Sequence, residues 1–366
     1  MTRSVAILID SLSGGGAERS VLSLARGLES RGARVHLFVL RAERAYDEAD
    51  AFPVSVVPDA WAARGRTMAT RAQALETAVA EVERERGAGF DLFLSNLERT
   101  SEVVAATSLA PTFHIVRNSV DQTIRREFRR GPLRYRRAKE CFGALNGQHC
   151  ITISDGVRDE IETSRFVKPA SARRIYNAFE VDEIRSRARE TVAGLPDEPY
   201  VIHVGRCVRQ KRHDVLLRAF ARVPEPYKLV CLTHRDDKLQ RLARRRGVAD
   251  RLITPGFQQN PYAWIAGARL LVSSSDFEGL CRVVAESLLC GTPVVTTDCP
   301  HGPAEIMGDE LGHWLVRVGR PDLLGAKITE ALATEIDLSG WRFIDEIDPG
   351  HIADQFLALI PTTTAS

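Results

Sequence analysis

Two glutamates, Glu278 and Glu286, lie eight positions apart in a stretch that is otherwise mostly small or apolar. Carboxylate oxygens accept hydrogen bonds from hydroxyl groups, so each glutamate can hold a polyol. A pair of carboxylates on either side of an anion-binding backbone suits a ligand with hydroxyls at both ends and a diphosphate between them. The ligand that such a geometry suits is a nucleotide sugar.

The residues around the two glutamates predict a strand, a loop, a helix and a second strand. Residues 270–273 form a short apolar run that is typical of a buried parallel strand. Residues 282–290 carry apolar side chains close to helical spacing, and Gly291 stands where a glycine would end the helix. Residues 293–297 form the next strand.

These elements place the two glutamates on either side of a helix start. Glu278 follows the first strand at its carboxyl end, where open α/β sheets bind ligands. The free N–H groups at the start of the helix favour phosphate, which assigns the backbone of Gly279, Leu280 and Cys281 to a diphosphate. Glu286 lies about one turn into the helix.

Spacing alone also allows a simpler interpretation, in which the two glutamates are an ordinary loop residue and an ordinary helix residue. The neighbours of Glu286 are mainly apolar, among them Ala285, Leu288 and Leu289. A carboxylate that is buried beside such residues requires a partner. Both interpretations stay open on spacing.

A glycine-rich loop follows the first predicted strand, residues 4–9, and precedes an apolar-faced helix. Glycine lets the backbone approach a ligand closely at a helix start, which assigns Gly15 and Gly16 to ligand contact. Gly14-x-Gly16 is also half of a dinucleotide fingerprint, but Arg19 stands at the third glycine position, which disfavours nicotinamide or flavin. A turn that binds no ligand is the third alternative.

Residues 124–139, IRREFRRGPLRYRRAK, form the one strongly basic segment. Three interpretations compete: a solvated face, a surface that meets anionic lipid, and a pocket for a phosphorylated acceptor. Each basic residue near an anionic membrane contributes about 1 kcal/mol to attraction. The candidates for acceptor or membrane contact in this segment are Arg129, Arg130, Arg136 and Arg137.

The composition is that of an ordinary globular protein, with 366 residues, 44% hydrophobic and 27% charged. A net charge of +2 gives no general electrostatic case for nucleic acid. The seven cysteines form no C-x-x-C pair, which favours a reducing compartment and disfavours a zinc site. No apolar run reaches the roughly eighteen residues of a membrane span, and the first apolar run is too short for a signal peptide.

Strands and helices alternate through both halves of the chain, which predicts two parallel-sheet α/β domains. The boundaries we expect are an N-terminal domain over residues 1–180, a linker over 181–199 and a C-terminal domain over 200–345. The linker assignment depends on the charged run that ends in GLPDEP. Residues 346–366 are expected to hold a final helix that returns to the first domain, and a tail.

The stretch FEGLCRVVAESLLCGTPVVTTD resembles the Glu-x7-Glu signature of retaining glycosyltransferases of family 4. The flanking GFQQNPYAWIAGARLLVSSSDFEG and DCPHGPAEI are similar to the same family, as are SGGGAERSVLSLARGL, ISDGV and RRIYNAFE. The resemblance covers nearly the whole chain and implies the GT-B fold, two Rossmann-like domains that face each other across a cleft. Cys281 departs from it, because the family commonly has glycine at that position.

The resemblance implies roles for individual residues of the second half. Arg206 and Lys211, five positions apart after a predicted strand, match the arginine and lysine that neutralise the leaving diphosphate. Glu278 would contact the hydroxyls of the donor sugar, Glu286 the ribose and Phe257 the base. Without the resemblance, Arg206 and Lys211 are equally well read as surface charges.

The resemblance assigns less in the first half. Gly15 and Gly16 would close over the diphosphate from the other domain. Relatives often place an acceptor-side histidine or similar polar residue near the strand predicted over residues 112–116. His114 lies inside that strand, while Arg117 and Asn118 lie at its end. His114 is therefore a candidate catalytic residue or a core histidine, and Arg117 and Asn118 are candidates for acceptor contact.

The expected activity is transfer of a hexose or N-acetylhexosamine, with retention, from a UDP-sugar or GDP-sugar to a glycan or lipid-linked acceptor. A UDP-sugar is favoured, and the expected context is polysaccharide or lipopolysaccharide synthesis in the cytoplasm or at the inner face of the membrane. No Asp-x-Asp metal site is evident and no cofactor is expected. A nucleotide-sugar epimerase or phosphorylase, or a non-catalytic subunit that binds a sugar nucleotide, stays open as an alternative.

Overall fold

The computed structural model describes residues 2–13, 15–43, 51–61, 67–233 and 237–361. Gly14 of the glycine loop and residues 362–366 of the predicted tail lie outside these ranges. The chain divides into two compact units, residues 1–179 with 346–366 and residues 180–345. None of the helices in the described part combines the length and apolar character needed to cross a bilayer.

The first unit contains one parallel sheet in the order β3-β2-β1-β4-β5-β6-β7. Its strands are β1 (Ser4–Ile9), β2 (Arg34–Val39), β3 (Val54–Val56), β4 (Leu92–Asn96), β5 (Thr112–Val116), β6 (His149–Thr152) and β7 (Ser171–Arg174). The helices between them are α1 (Gly16–Ser30), α2 (Met68–Arg86), α3 (Glu98–Val104), α4 (Val120–Phe128), α5 (Pro132–Gly143) and α6 (Asp155–Thr163). The central strands β1 and β4 are buried along their whole length, as helices on both faces require.

The second unit contains a parallel sheet in the order β10-β9-β8-β11-β12-β13. Its strands are β8 (Tyr200–Val204), β9 (Lys228–Leu232), β10 (Leu252–Ile253), β11 (Leu270–Ser273), β12 (Val294–Asp298) and β13 (Leu315–Arg317). Its helices are α7 (Val181–Ala188), α8 (His213–Phe220), α9 (Asp237–Arg245), α10 (Pro261–Ala266), α11 (Arg282–Leu289), α12 (Pro303–Met307) and α13 (Pro321–Leu332). Across the two units, short 3-10 turns occupy Pro58–Ala60, Arg209–Lys211, Ala249–Arg251, Gly312–Trp314 and Phe343–Glu346.

The predicted linker over residues 181–199 is wrong in its first half, because residues 181–188 form α7 and pack within the second unit. Ile184 is buried, and the Asn260 amide donates to the Arg187 carbonyl at 2.8 Å. The Arg187 guanidinium donates back to the Gln259 carbonyl at 2.8 Å. Ile184 and these hydrogen bonds attach α7 to the second unit. The sequence prediction missed this helix because most of its residues are charged or polar.

The last helix, α14 (Pro349–Leu357), packs on α1 in the first unit. Arg31 forms an ion pair with Asp354 at 2.9 Å, between the guanidinium Nε and a carboxylate oxygen. Gly27 of α1 allows the close approach, since a Cβ atom there would lie 2.5 Å from the Pro349 carbonyl oxygen. Helix α14 therefore belongs to the first unit, as predicted.

Candidate active site

The centre of the second sheet has the geometry of a binding crevice. Its order changes direction between β8 and β11, because β9 and β10 lie on one side of that pair and β12 and β13 on the other. The connections that follow β8 and β11 therefore run in opposite directions and leave a crevice at the carboxyl ends of these two strands. Ligands of open α/β sheets bind in such a crevice. The two predicted clusters, residues 206–211 and 278–286, follow these two strands.

The structure joins the two clusters through Lys211 and Glu278. The Lys211 ammonium lies 2.8 Å from a Glu278 carboxylate oxygen, and the two side chains are 19% and 10% exposed. Burial lowers the pKa of the ammonium, but the charge and hydrogen bond of Glu278, together with the neighbouring Cys281 and Cys299, outweigh burial and raise the pKa above its usual value. Lys211 thus presents a fixed positive charge.

Backbone contacts hold the two loops together around this ion pair. The Gln210 side-chain amide donates to the Phe277 carbonyl at 2.7 Å, and the Asp276 N–H donates to the Gln210 carbonyl at 2.9 Å. The Ser274 hydroxyl donates to the Lys211 carbonyl at 2.8 Å. The position of Lys211 is therefore fixed by the same loop that carries Glu278.

Arg212 adds a second ionic link between the loops. Its guanidinium donates to Asp276 at 2.7 Å and to the two carboxylate oxygens of Asp214 at 2.8 and 2.9 Å. Its backbone has a φ of +49°, which is unfavourable for a side chain with a Cβ atom. Asp276 and Glu278 are thus each engaged by a different cation, Arg212 and Lys211.

The backbone of Glu278 is held from the other side by the turn after β12. Its N–H donates to the Pro300 carbonyl at 2.6 Å, and the His301 N–H donates to the Glu278 carbonyl at 3.2 Å. Gly302 lies against the backbone of Leu280, so close that a Cβ atom on Gly302 would be 2.4 Å from the Leu280 Cα atom. Two turns, one on each side, therefore orient Glu278.

The loop that the sequence assigns to phosphate has a glycine-like backbone at its last residue. Cys281 has φ +64° and ψ +60°, the left-handed region, and is the N-cap of α11. The thiol is buried, and burial raises its pKa to about 12. Cys281 therefore has the left-handed backbone that glycine adopts readily. It differs from glycine by a side chain that is buried and unreactive.

Glu286 meets the requirement for a partner inside α11. Its carboxylate oxygen lies 3.2 Å from the Nε atom of Arg282, one turn earlier, and both side chains are largely buried. A carboxylate on a mainly apolar helix is thereby compensated. It retains a second oxygen that is able to accept from a ligand hydroxyl.

Arg206 and Phe257 are exposed at the same edge of the second sheet. Arg206 lies two residues beyond β8, and Phe257 lies four residues beyond β10 with 44% of its surface exposed. An exposed aromatic ring is suited to stack on a planar base. Both side chains are placed at carboxyl ends of strands, as the sequence predicts.

In the first unit, Gly15 and Gly16 occupy the corresponding position of their own sheet. The order of that sheet changes direction between β1 and β4. Gly15 is the N-cap of α1, just past the carboxyl end of β1, and Gly16 is the first helical residue. A Cβ atom on Gly15 would lie 2.5 Å from a carboxylate oxygen of Glu18, the end of a flexible side chain.

The structure places His114 in the core of the first unit. It lies in the middle of β5 with no exposed surface, and its Nδ1 atom lies 3.0 Å from the Ser95 hydroxyl. Burial lowers the pKa of the imidazole to about 4, so it is neutral near pH 7. Of the two interpretations of this histidine, the structure favours the core residue over the catalytic one.

The burial of His114 predicts a loss of stability in mild acid. Because its pKa of about 4 lies below the unfolded value, stability is fully present above about pH 6.5 and falls as pH drops toward 4, by about 3 kcal/mol in total. Melting curves of His114→Gln between pH 7 and pH 5 should show a weaker pH dependence than the wild type. Substitution of the exposed His351 by Gln is the control, and an unchanged slope in His114→Gln would contradict the assignment.

Arg117 and Asn118 lie at the carboxyl end of β5 and are partly exposed. The Arg117 guanidinium donates to the Asn96 side chain at 2.6 and 3.0 Å and to Asn177 at 2.7 Å. Arg117 also lines a small pocket with Ile115 and Phe142. Arg117 is therefore held in place at an edge where an acceptor could bind.

The basic segment forms α4, a short turn and α5, and its arginines differ in their surroundings. Arg137 forms a bidentate pair with the buried carboxylate of Glu102 on α3. Arg136 pairs with Glu140 at 2.7 Å, and Arg130 pairs with Glu127 at 3.0 Å. Arg137 thus stabilises the packing of α5 on α3, and with 47% of its side chain exposed its assignment to acceptor or membrane contact stays a prediction.

Comparison with known families agrees with the motif resemblance over almost the whole chain. Residues 14–183 match the family described as Glycosyltransferase Family 4, and residues 185–342 match the family described as Glycosyl transferases group 1. The chain belongs to glycosyltransferase family 4.

Two curated relatives of this family 4 protein are named as transferases of N-acetylgalactosamine and of galactose. One is the N-acetylgalactosamine-N,N'-diacetylbacillosaminyl-diphospho-undecaprenol 4-alpha-N-acetylgalactosaminyltransferase of Campylobacter jejuni, 33% identical over 45% of this chain and 45% of the relative. Another is the lipopolysaccharide 1,6-galactosyltransferase of Escherichia coli, 28% identical over 54% of this chain and 56% of the relative. The chain matches about half the length of these relatives.

Solved structures show that the family 4 chain has the GT-B class of fold, with two Rossmann-like parallel-sheet domains. Anabaena HepE, in complex with UDP and glucose, has a TM-score of 0.74 and 20% identity and covers 98% of this chain and 99% of its own. WaaG, a glycosyltransferase involved in lipopolysaccharide biosynthesis, has a TM-score of 0.71 and 17% identity, with coverage of 99% and 100%. The predicted fold class is confirmed.

Several residues that shape the family 4 site escape the sequence-based prediction. They are the groups that hold the two loops and α11 in place: Gln210, Arg212, Ser274, Asp276, Arg282 and Gly302. Ser274, Asp276, Arg282 and Gly302 lie in the family-like stretches, whereas Gln210 and Arg212 lie outside them. All six act through contacts that depend on the folded arrangement.

Proposed function

We propose that the protein is a retaining glycosyltransferase that moves a hexose or N-acetylhexosamine from a nucleoside-diphosphate sugar to an acceptor hydroxyl. The observation that carries this proposal is the Lys211–Glu278 pair, a largely buried cation and a carboxylate 2.8 Å apart at the centre of the second sheet. A diphosphate sugar presents one anionic part and one polyol part side by side. The pair matches those two parts.

In this proposal Lys211 and Arg206 hold the diphosphate. Cleavage of the glycosidic bond places negative charge on the leaving oxygen, and fixed cations beside that oxygen stabilise the transition state. An ammonium has three N–H donors, so Lys211 can stay bound to Glu278 and still donate to phosphate. The backbone of Gly279, Leu280 and Cys281 contributes N–H groups at the start of α11.

The remaining residues around the donor fix its sugar, ribose and base. Glu278 accepts from the hydroxyls of the transferred sugar, and Glu286, anchored by Arg282, accepts from the ribose. Phe257 stacks on the base. Gly15 and Gly16 of the first unit are assigned to the diphosphate, and Arg117 and Asn118 to the acceptor.

The reaction proceeds with retention and needs no metal ion. The bond from the anomeric carbon to the diphosphate breaks, the acceptor oxygen bonds to the same face of that carbon, and the acceptor proton passes to the leaving diphosphate. The nucleoside diphosphate then departs. Lys211 and Arg206 supply the positive charge that a metal ion would otherwise provide, since Asp276 is engaged by Arg212.

The relatives support the choice of donor and acceptor. HepE is described in complex with UDP-glucose, which favours a UDP-sugar over a GDP-sugar. The Campylobacter relative acts on a diphospho-undecaprenol compound, and the Escherichia coli relative acts on lipopolysaccharide. We therefore assign a glycan or lipid-linked acceptor in the synthesis of a cell-surface polysaccharide or lipopolysaccharide, met at the cytoplasmic face of the membrane.

Donor specificity and stereochemistry can be tested in two steps. A UDP-sugar at 100 times its dissociation constant should stabilise the protein by about 2.7 kcal/mol in a thermal-shift assay, more than GDP- or ADP-sugars at equal concentration. With an α-linked donor and an acceptor, product NMR should show an α linkage, and a chelator should leave the activity unchanged. A β product, or activity lost with chelator and restored by a divalent ion, would overturn the mechanism.

The same assay separates transfer from the other activities that the fold allows. Release of nucleoside diphosphate only when acceptor is present indicates transfer, whereas an epimerase converts the donor without acceptor. A non-catalytic subunit would show the thermal shift and no release.

A further inference from the structure

Two large apolar side chains stand out from the surface at the end of the α4–α5 hairpin. Phe128, the last residue of α4, is 65% exposed, and Leu133, in the first turn of α5, is 81% exposed. They exceed in exposure every other large apolar side chain of the described residues. The two flank the turn of residues 129–131, so they form one apolar tip.

The hairpin is rigidly supported behind this tip. Val120 and Ile124 of α4 and Phe142 of α5 are buried in one apolar cluster of the first unit. Tyr135 contacts Phe128 edge to face, with ring centroids 5.2 Å apart. The exposure of Phe128 and Leu133 is therefore a property of an ordered helical hairpin whose other face is packed.

Positive charge surrounds the tip. Residues 120–143 contain eight basic and three acidic residues, a net charge of +5. Glu127 is recessed, 13% exposed, between Arg126, Arg130 and Arg134, whereas the side chains of Arg125 and Arg134 are each 57% exposed. The acid is turned inward and the guanidinium groups face the solvent.

We propose that the α4–α5 hairpin docks the protein on an anionic lipid bilayer, with Phe128 and Leu133 inserted among the lipids and the arginines on the headgroups. A convex tip offers no groove to a peptide, but its apolar side chains can enter the boundary between headgroups and acyl chains. Arginines around the tip attract anionic headgroups. The apolar tip and the arginines around it favour a bilayer over nucleic acid, because nucleic acid offers no apolar environment to Phe128 and Leu133.

The docking surface deepens the proposed function, because it would bring the active site to a lipid-linked acceptor. It predicts two separable contributions to binding. The arginine contribution should weaken as salt rises, since exposed charges are screened. The contribution of Phe128 and Leu133 should persist at high salt, because it depends on burial of apolar surface.

The test is sedimentation of the full chain with phosphatidylcholine vesicles, with and without phosphatidylglycerol. The wild type should bind only the anionic vesicles. Phe128→Ser with Leu133→Ser should weaken this binding about tenfold or more at all salt concentrations. Arg129→Ser, Arg130→Ser and Arg134→Ser together should weaken it chiefly at low salt.

Two matched controls come from the second unit. Leu323→Ser removes an apolar side chain that is 42% exposed, and substitution of Arg241, Arg244 and Arg245 by Ser removes three exposed charges from α9. Both should leave vesicle binding unchanged. Equal binding by the tip variant and the wild type, or equal losses from the α9 and hairpin arginine variants, would overturn the docking surface.

The two proposals fail separately in this design. Vesicle binding is measured without donor or acceptor, and the donor thermal shift is measured without lipid. A wild type that binds vesicles but no nucleotide sugar removes the proposed function and leaves the docking surface. A tip variant that keeps the donor shift but loses vesicle binding is folded and supports the docking surface directly.

Discussion

Substitution of Lys211 by glutamine is expected to lower turnover by about 100- to 1,000-fold, as removal of one charge-stabilising donor commonly does. The amide keeps a donor for Glu278 but loses the positive charge, so the buried carboxylate is not left without a hydrogen bond. Arg206→Ala should lose a similar factor with little effect on stability, because Arg206 is exposed. The measurement is nucleoside diphosphate release at saturating donor and acceptor.

A cation on the same turn provides the control for this prediction. Arg209 is exposed and lies between the two proposed phosphate ligands in sequence, but it has no assigned contact with the donor. Arg209→Ala should retain near wild-type turnover. If Arg206→Ala and Lys211→Gln retained it as well, the diphosphate clamp would be wrong.

The two glutamates should differ in the kinetic constant they affect. Glu278→Ala is expected to lower turnover to a similar extent as Lys211→Gln, because the transferred sugar is at the reacting centre. Glu286→Ala should raise KM for the donor more than it lowers kcat, since the ribose is remote from the bond that breaks. Equal effects of both substitutions on kcat would contradict the assigned roles.

The elements that carry the site were predictable because they are local. The strand, helix and strand expected over residues 270–273, 282–290 and 293–297 correspond to β11, α11 and β12, within one residue at each end. Buried parallel strands have apolar runs, and a helix between them has helical spacing, so short windows contain the information. The fold class follows from repetition of this unit.

The contacts that hold the site together were not predictable from such windows. Lys211 and Glu278 are 67 positions apart, and only the adjacency of β8 and β11 brings them together. The link from Arg212 to Asp276 depends on the same adjacency. Single-sequence patterns describe periodicity along the chain, whereas these pairs are determined by the order of strands in the sheet.

Local sequence patterns also gave no information on the burial and the partners of two polar side chains, His114 and Arg137. His114 was a candidate for catalysis because the family resemblance places a histidine or similar polar residue near this strand, but it lies in the middle of β5 with no exposed surface. Arg137 was assigned to acceptor or membrane contact, and local patterns did not reveal its ion pair with Glu102, which lies 35 residues earlier. In both cases a polar side chain contacts a residue that is distant in sequence.

Gly302→Ala is expected to lower stability by roughly 2–5 kcal/mol and to abolish most activity. Two effects add at this position. The backbone φ of Gly302 is +94°, which L side chains rarely adopt, and an added Cβ atom would lie 2.4 to 2.6 Å from the Leu280 backbone. The backbone cannot move aside cheaply, so the turn that holds Glu278 through Pro300 and His301 should shift.

Gly291→Ala separates these two effects. Gly291 lies in the same unit, just past α11, and has a φ of +79°, but no heavy atom lies within 4 Å of its added Cβ atom. This control should lose only the cost of a left-handed backbone, about 1–2 kcal/mol, and should keep its activity. The measurements are the melting temperature by calorimetry and the turnover of donor by both variants. If Gly302→Ala had the same melting temperature and turnover as Gly291→Ala, the contact of Gly302 with Leu280 would not be what positions Glu278.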